Sequence, residues 1–467
     1  MAGFDPEYVS RVLRENFEDA KALFLAPLVA IHYAHLVMLR QQGIIRADDA
    51  HALREALDAI PLADIKTATY DQACEDLFYY VERTLVQACG ENVAGRLRVA
   101  RSRNDIDMTM YRMRQREFIV TLADGALDLR EALIDVAMRN RETIFAAHTH
   151  TQPAQPTTIA HYLLAVIEQL ERDHVRLQAA YASTNKSPLG ACAITGTGFP
   201  IDRGLTSDLL GFDEPTGNTY GSIATVDYLL ESVSAAQVLL AGLGRVVQDL
   251  LLWCTREFGY LRLADGLVQG SSIMPQKRNP VALEHARSIT SKALGQAAAV
   301  VTTVHNTPFG DIVDTEDDLQ PLVASMFRDA QRAVALVAVS IRGTEFDVQR
   351  LQAHAEEGGT TSTELADRLV RDHDVPFGKA HAIAAAYLSG DVKGAAQKYT
   401  PEELASITSA RNFVEVRRTP GGPASSETTR ALGVSRELLA RDRAWLDDVR
   451  GRLRGAEERR RARVQAL

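Results

Sequence analysis

Residues 270–280 read Gly-Ser-Ser-Ile-Met-Pro-Gln-Lys-Arg-Asn-Pro. Between Ser271 and Asn279 stand two hydroxyls (Ser271, Ser272), one ammonium (Lys277) and one amide (Asn279). A glycine opens the run and two prolines stiffen it. Glu284 follows one turn into the next helical pattern. A second polar segment, Ala100-Arg101-Ser102-Arg103-Asn104-Asp105, sets two guanidinium groups, a hydroxyl and an amide at the mouth of a helix. Guanidinium forks match carboxylates bidentately, although such a run alone also serves as a solvated turn. A third, His148 to Pro156, carries two histidines in a polar loop between helices. These are open to three readings: metal ligands, surface histidines or acid/base groups. With no carboxylate or cysteine companions at ligand spacing, metal binding fits least.

The elements that must position these segments are helical. Apolar residues from Val226 to Leu251 recur at steps of three and four, the stripe of a long amphipathic helix. Asp105 to Arg139 reads the same way, with no proline and only Gly125 as a weak point. Two further patterns run from Pro280 to Val304 and from Leu319 to Val339, and proline suits a first helical turn. Alternation of period two over strand length is scarce. Helices this long cannot all bury their stripes in one small domain, so an elongated bundle shared between subunits is expected. Breaks at Gly95–Asp105 and Gly343–Gln349 divide the chain into 1–104, 105–345 and 346–467. A Gly/Pro/Asn-rich stretch from Leu209 to Gly221 reads as a loop, and the C-terminal third as shorter helices. The arginines from Arg452 to Arg463 read as a basic helix end complementing its own dipole.

At 467 residues the chain is too long for one ordinary core, so two or three domains are expected. A formal net charge of -9 argues against nucleic acid and means that an anionic substrate must be captured by a local cluster of cations. Cys74, Cys89, Cys192 and Cys254 form no Cys-x-x-Cys pair and no zinc spacing, which reads as reduced, buried thiols in a cytoplasmic protein. Met1 to Pro6 shows no signal-peptide pattern, and with no stretch of 18 apolar residues free of charge, no membrane span is expected.

The 270–280 run resembles the signature loop of the fumarase/aspartase superfamily, whose members break C–N or C–O bonds by β-elimination and usually release fumarate. The segment at Ser102-Arg103-Asn104-Asp105 and that at Thr149–Pro156 resemble argininosuccinate lyases, in the same order. So do Ser187-Pro188-Leu189-Gly190, Trp253 to Glu257, Leu365 to His381 and the Gly421-Gly422 region. The resemblance implies an all-α, mainly helical, three-domain protomer. It further implies a homotetramer built on a core of about twenty helices, with each site shared between subunits. It implies a cofactor-independent lyase, without metal, acting on a small dicarboxylate to give fumarate and an amine. Ser271 matches the base that removes the Cβ proton, with Ser272 beside it; Lys277 and Asn279 match groups that hold the carboxylate gathering charge. Ser102, Arg103, Asn104, Thr149 and Gln152 match other substrate contacts. His150 matches the active-site histidine, with Glu284 as its carboxylate partner.

The succinyl end of this pattern is complete and the amine end is not. Argininosuccinate lyases usually carry His-Thr-Gly where Arg98-Val99-Ala100 stand, and Glu-Asp-Ile-His where Glu75-Asp76-Leu77-Phe78 stand. Their Tyr-Asn-Lys-Asp-Leu-Gln-Glu-Asp-Lys type run helps hold the arginine portion. Here it reads Phe309-Gly310-Asp311-Ile312-Val313-Asp314-Thr315-Glu316-Asp317, without the tyrosine and richer in acid. Two named substrates stay open beside other N-substituted aspartates: argininosuccinate, or ethylenediamine-N,N'-disuccinate, from which a relative in this branch removes a diamine. A non-catalytic, crystallin-like role is the remote third reading, against which the intact Ser271, His150, Lys277 and Asn279 stand.

Overall fold

The computed structural model describes residues 4–467, so Met1, Ala2 and Gly3 of the N-terminal stretch lie outside the described residues. Pro6–Tyr8 and a π-helical turn, Val9–Leu13, lead into α1 (Arg14–Gln41). α2 (Ala47–Asp58) and α3 (Leu77–Cys89) pack on α1 and complete the N-terminal layer. α4 (Arg103–Arg139) then runs 37 residues through the middle of the molecule. It is uninterrupted because no proline falls within it, and it is buried on nearly every face, which is why its apolar stripe is broad. A hairpin follows, β1 (Ile144–Thr149) and β2 (Gln152–Thr158), paired antiparallel with Thr149 opposite Gln152.

α5 (Ile159–Thr184), α6 (Arg203–Leu210) and α7 (Asp227–Trp253) continue the chain. Strand β3 (Leu261–Leu263) leads toward the 270–280 loop and α8 (Val281–Val304). α9 (Leu319–Arg342) returns antiparallel to α8 and ends on β4 (Thr344–Phe346), which pairs with β3. The long helices α4, α5, α7, α8 and α9 form the bundle and share one apolar core. Phe118 of α4, partly buried, stacks on the buried Phe327 of α9 at 5.6 Å between ring centroids. All four helices expected from periodicity are present within three residues of their expected ends. Pro280 sits at the cap of α8, one position earlier than the first helical turn.

Beyond β4, α10 (Val348–Glu356) lies on the hairpin. α11 (Ser362–His373), α12 (Phe377–Leu388) and α13 (Pro401–Ile407) enclose a small separate core built on Leu365, Leu369, Ala380 and Leu404. The C-terminal third is not confined to short helices. α14 (Ala410–Glu415) is followed by α15 (Ser425–Gln465), which at 41 residues is the longest helix among the described residues. It lies back along α4, α5 and α6. Its sequence is mostly polar, so its narrow buried face carries little periodic signal, and ion pairs do much of the attachment. Arg130 of α4, fully buried, donates to Asp442 at 2.6 Å, and Arg443 and Arg450 both reach Asp124. The terminal arginines likewise make tertiary contacts in place of a purely local dipole role: Arg459 pairs with Asp208 at 2.7 Å, and Arg460 donates to the Leu209 carbonyl.

Two helical stretches, Pro6–Gln41 and Asp227–Trp253, are long and apolar enough to cross a membrane by composition. The apolar window of the first is 72% buried inside the protomer, as core helices are, whereas that of the second is only 44% buried. All four cysteines are free and half-buried, less buried than their composition suggests.

Candidate active site

The chemistry-bearing residues fall into three groups held by different elements. The first sits at the start of α4. The Ser102 N–H donates to Asp105 Oδ1 at 2.8 Å, closing the helix mouth, and the Ser102 hydroxyl donates to Asn104 Oδ1 at 2.7 Å. Asp105 is fully buried, and its second oxygen accepts the N–H groups of Gly190 (2.8 Å) and Cys192 (3.1 Å). This ties the Ser187–Gly190 segment to the site. Gly190 has φ +91°, and a Cβ there would come within 2.7 Å of Arg203, so glycine is required twice over.

The two arginines of this segment face opposite ways. Arg101 turns inward, where Nη1 meets His32 Nδ1 at 2.7 Å and burial lowers the guanidinium to about 10. Arg103 turns outward and donates to Glu75 (3.1 Å) and Asp76 (2.5 Å). Ala100, two residues before Ser102, is held at φ +57°. A side chain pays for that left-handed conformation by about 1–2 kcal/mol, at a position where argininosuccinate lyases usually have glycine.

Arg103, Asp107 and Tyr111 succeed one another at steps of four on one face of α4 and line a cleft of about 400 Å³. Tyr8 at the end of the first helical turn and Val12 and Leu13 of the π-helical turn contribute, and α1 adds Asn16 and Asp19. Glu75 and Asp76 come from the approach to α3. The acid-rich run after α8 supplies Asp311, Glu316, Asp317 and Asp318. Asp107 lies well above the usual carboxylate range, first because of burial and then because Asp76, Glu316 and Asp317 repel its charge. Glu316 is also raised, by burial first and by the neighbouring Asp311 and Asp317. Sequence reasoning did not pick out Asp107, Tyr111 or Asp19. The four-residue spacing from Arg103 was the available signal for the first two. Phe309 lies outside the cleft wall, 66% exposed and stacked on Tyr220.

The second group is the hairpin tip. His150 (φ +50°) and Thr151 (φ +63°) are both left-handed, the geometry of a mirror-image two-residue turn normally filled by Asn and Gly. Strain of this kind on non-glycine residues marks functional sites. The turn leaves Thr149, His150 and Gln152 exposed. Its base is anchored elsewhere: His161 meets Thr157 Oγ1 at 2.7 Å and the Gly421 carbonyl at 2.9 Å.

The third group is the 270–280 loop. Gln269 and Asn279 pair through both backbone bonds (3.0 and 2.8 Å) and pinch its base. Arg278 anchors one side, donating to the Leu263 carbonyl at 3.0 Å and pairing with Asp265 at 2.7 Å. Between these anchors the loop is open: Ile273 is 83% exposed, and Ser272 and Lys277 are exposed too. Ser271 Oγ accepts the N–H groups of Met274 (3.1 Å) and Ile273 (3.4 Å). Donors aimed at a hydroxyl oxygen stabilise its alkoxide. Glu284 is exposed on the first turns of α8.

The protomer does not bring the three groups together. The loop precedes the 24 residues of α8, and the acid run of the cleft follows them, a span of about 36 Å. The hairpin follows the 37 residues of α4 and Arg103 opens them, a span of about 55 Å. Among the described residues no hydrogen bond or ion pair joins His150 to Glu284.

Comparison with known proteins meets this geometry. A family model described as a lyase matches residues 29–295. "Argininosuccinate lyase 2" of Agrobacterium fabrum is 40% identical over 459 residues, covering 93% of this chain and 91% of that protein. The argininosuccinate lyase of Methanoculleus marisnigri is 37% identical, covering 92% and 90%. In structure, EDDS lyase in complex with formate is similar with a TM-score of 0.84 at 27% identity, covering all of this chain and 96% of that one. The chain belongs to the fumarase/aspartase superfamily, in its argininosuccinate lyase-like branch.

Proposed function

We propose that the protein is a cofactor-independent carbon–nitrogen lyase that cleaves an N-(1,2-dicarboxyethyl) amine to fumarate and a free amine, reversibly. The observation that carries this reading is Ser271 in the 270–280 loop, its Oγ already facing two backbone N–H donors. A serine hydroxyl is a poor base at neutral pH, and it acts as one only where its alkoxide is stabilised. Those two N–H groups, with the Lys277 ammonium six residues on, supply such an environment. Ser271 in this form takes the proton from Cβ. The electron pair moves onto the adjacent carboxylate as an aci-carboxylate dianion, held by Lys277 and Asn279 with Ser272 beside them. The dianion then collapses to the carbon–carbon double bond, and the C–N pair leaves with the amine, which gains a proton. Ser102, Arg103, Asn104, Thr149 and Gln152 hold the succinyl carboxylates, and His150 with Glu284 assists binding or proton transfer.

These roles need more than one chain, and we infer a cytoplasmic homotetramer with each site drawn from several subunits. The spans along α4 and α8 support it, since they keep the group at the start of α4 apart from both the hairpin and the 270–280 loop in one protomer. So does the uncovered apolar surface on the bundle, where Val238 of α7, Val301 of α8 and Val339 of α9 are each 40% exposed or more. The two substrate readings are argininosuccinate and ethylenediamine-N,N'-disuccinate. Relatives bearing the first name support the first, and the acid-rich run at Asp311–Asp317 favours the second. The test is fumarate release, followed by ultraviolet absorbance, from both compounds in parallel. Release from neither would exclude both named substrates, and no fumarate from a wider set of N-substituted aspartates would overturn the lyase reading and leave a non-catalytic, crystallin-like role.

A further inference from the structure

Behind the Ser102–Asn104 segment lies a buried cluster to which the proposed reaction gives no part. The Arg101 guanidinium turns inward, and its Nε and Nη2 are buried with no hydrogen-bond partner among the described residues. Nη1 meets Nδ1 of His32, a residue with no exposed surface. A guanidinium can only donate, so Nδ1 accepts, and the neutral ring carries its proton on Nε2. His35, 2% exposed, donates from Nε2 to the Val99 carbonyl at 2.9 Å. Burial first, and the Arg101 charge second, hold both imidazoles below the usual histidine range. Neither ring therefore neutralises the guanidinium. Two carboxylates act on it, Glu82 and Asp105, and Glu82 is taken by both Nε and Nη2 of Arg98. The unpartnered guanidinium nitrogens are enclosed within one chain, so no side chain of another subunit can reach them.

Asp105 is fully buried as well and accepts three backbone N–H groups, Ser102 on Oδ1 and Gly190 and Cys192 on Oδ2. Three donors call for a carboxylate, since a protonated Asp105 would set its own hydrogen against one of them. Burial pushes Asp105 toward the protonated form, and the three N–H groups and the Arg101 charge oppose it. The other ionisable groups facing Asp105 are Arg203, which donates to the Leu189 and Thr216 carbonyls, and the Cys192 thiol, pushed up to about 12 by burial. Arg101, lowered by burial to about 10, stays charged through neutral pH.

Resting on the lyase reading, we propose that Arg101 is a positioning residue: oriented by His32, its buried charge holds Asp105 as a carboxylate, and Asp105 clamps Ser102 to the Gly190–Cys192 turn so that the Ser102–Asn104 segment fits a dicarboxylate. The effect crosses protein interior, where a charge acts further than it does in water. It explains why an unpaired guanidinium is kept inside the fold beside a segment assigned to the substrate.

Fumarate binding to the intact, assembled enzyme tests this, measured by titration calorimetry from about pH 5.5 to about pH 8.5. Arg101→Gln removes the charge and keeps a donor for His32. Asp105 then protonates at higher pH, so the ratio of variant to wild-type Kd should be at least about tenfold at the acid end and fall to within about threefold at the alkaline end. The ratio cancels titrations common to both proteins. Arg101→Lys, which keeps the charge, should stay within about threefold of wild type throughout. Arg101→Met, also neutral, should repeat the slope and serves if the Arg101→Gln protein does not assemble. A ratio that does not change with pH, as a merely structural role would give, overturns the role of Arg101 and leaves the lyase intact. An Arg101→Lys protein that slopes as Arg101→Gln does has the same meaning. Wild-type enzyme that neither binds fumarate nor releases it from N-substituted aspartates overturns the lyase reading and this inference with it.

Discussion

The two ends of the helix bundle are built on opposite plans. At the start of α4, charged groups are packed into a preformed cleft, and Arg103 is locked by two carboxylates before any substrate arrives. At the start of α8, the 270–280 loop stands out in solvent, pinned only at its base, with Lys277 exposed. The cleft has walls and crowded carboxylates, while the loop carries the proposed base, Ser271, and has no walls. On the proposed reading the two ends take different parts in the reaction, and assembly of subunits is what would bring them together.

The largest break in that comparison should come from Ser271→Ala. With the loop's base removed, kcat should fall by about 10²–10⁴-fold, while the melting temperature and oligomeric state stay unchanged, because the exposed loop contributes no core packing. Near wild-type turnover would remove Ser271 from the chemistry. Next, an inactive Ser271→Ala protein can be mixed with an inactive Arg103→Met protein after dissociation and reassembly. If one site draws on both ends from different chains, activity should reappear in the mixture; a mixture as dead as its components would place each site within one chain.

The cleft should also show itself in stability against pH. Asp107, Glu316, Asp317 and Asp76 are raised in the fold, by burial first, with Asp311 and Arg103 facing them. A raised carboxyl binds its proton more tightly in the folded than in the unfolded state. Its stabilising effect is therefore present below the unfolded pKa, near 4 (roughly the ordinary carboxylate value), and is lost as pH rises through the folded value. Denaturant unfolding from pH 4 upward should show this declining contribution, and Glu316→Gln should flatten it. A steeper slope in that variant would contradict the assignment. The smallest expected effect is Ala100→Gly. Relief of the left-handed alanine, offset by greater freedom of the unfolded chain, should stabilise the protein by roughly 0.5–1 kcal/mol, read as a shift in the denaturation midpoint.

The four bundle helices were legible because their apolar stripes repeat locally, and proline and glycine are nearly absent from them. α15 was not, although it is longer, because its polar sequence is held by partners such as Asp124 and Arg130, hundreds of residues away. The site shows the same division. Ser271, Lys277, Arg103 and His150 stood out because donors cluster in short runs, and local density is visible in one dimension. Arg101 and Arg103 looked alike in sequence, and only burial against His32 separates the inward one from the outward one.

The sequence by itself determined the long helices, the donor-rich segments and the acidity of residues 311–318, since each depends on neighbours in the chain. Tertiary structure alone decided that those acids line one cleft with Asp107 and Tyr111, that Arg103 is already occupied, and that the 270–280 loop lies about 36 Å away at the far end of α8. Charge crowding and separation are set by packing between distant segments, and no local pattern of residues encodes them.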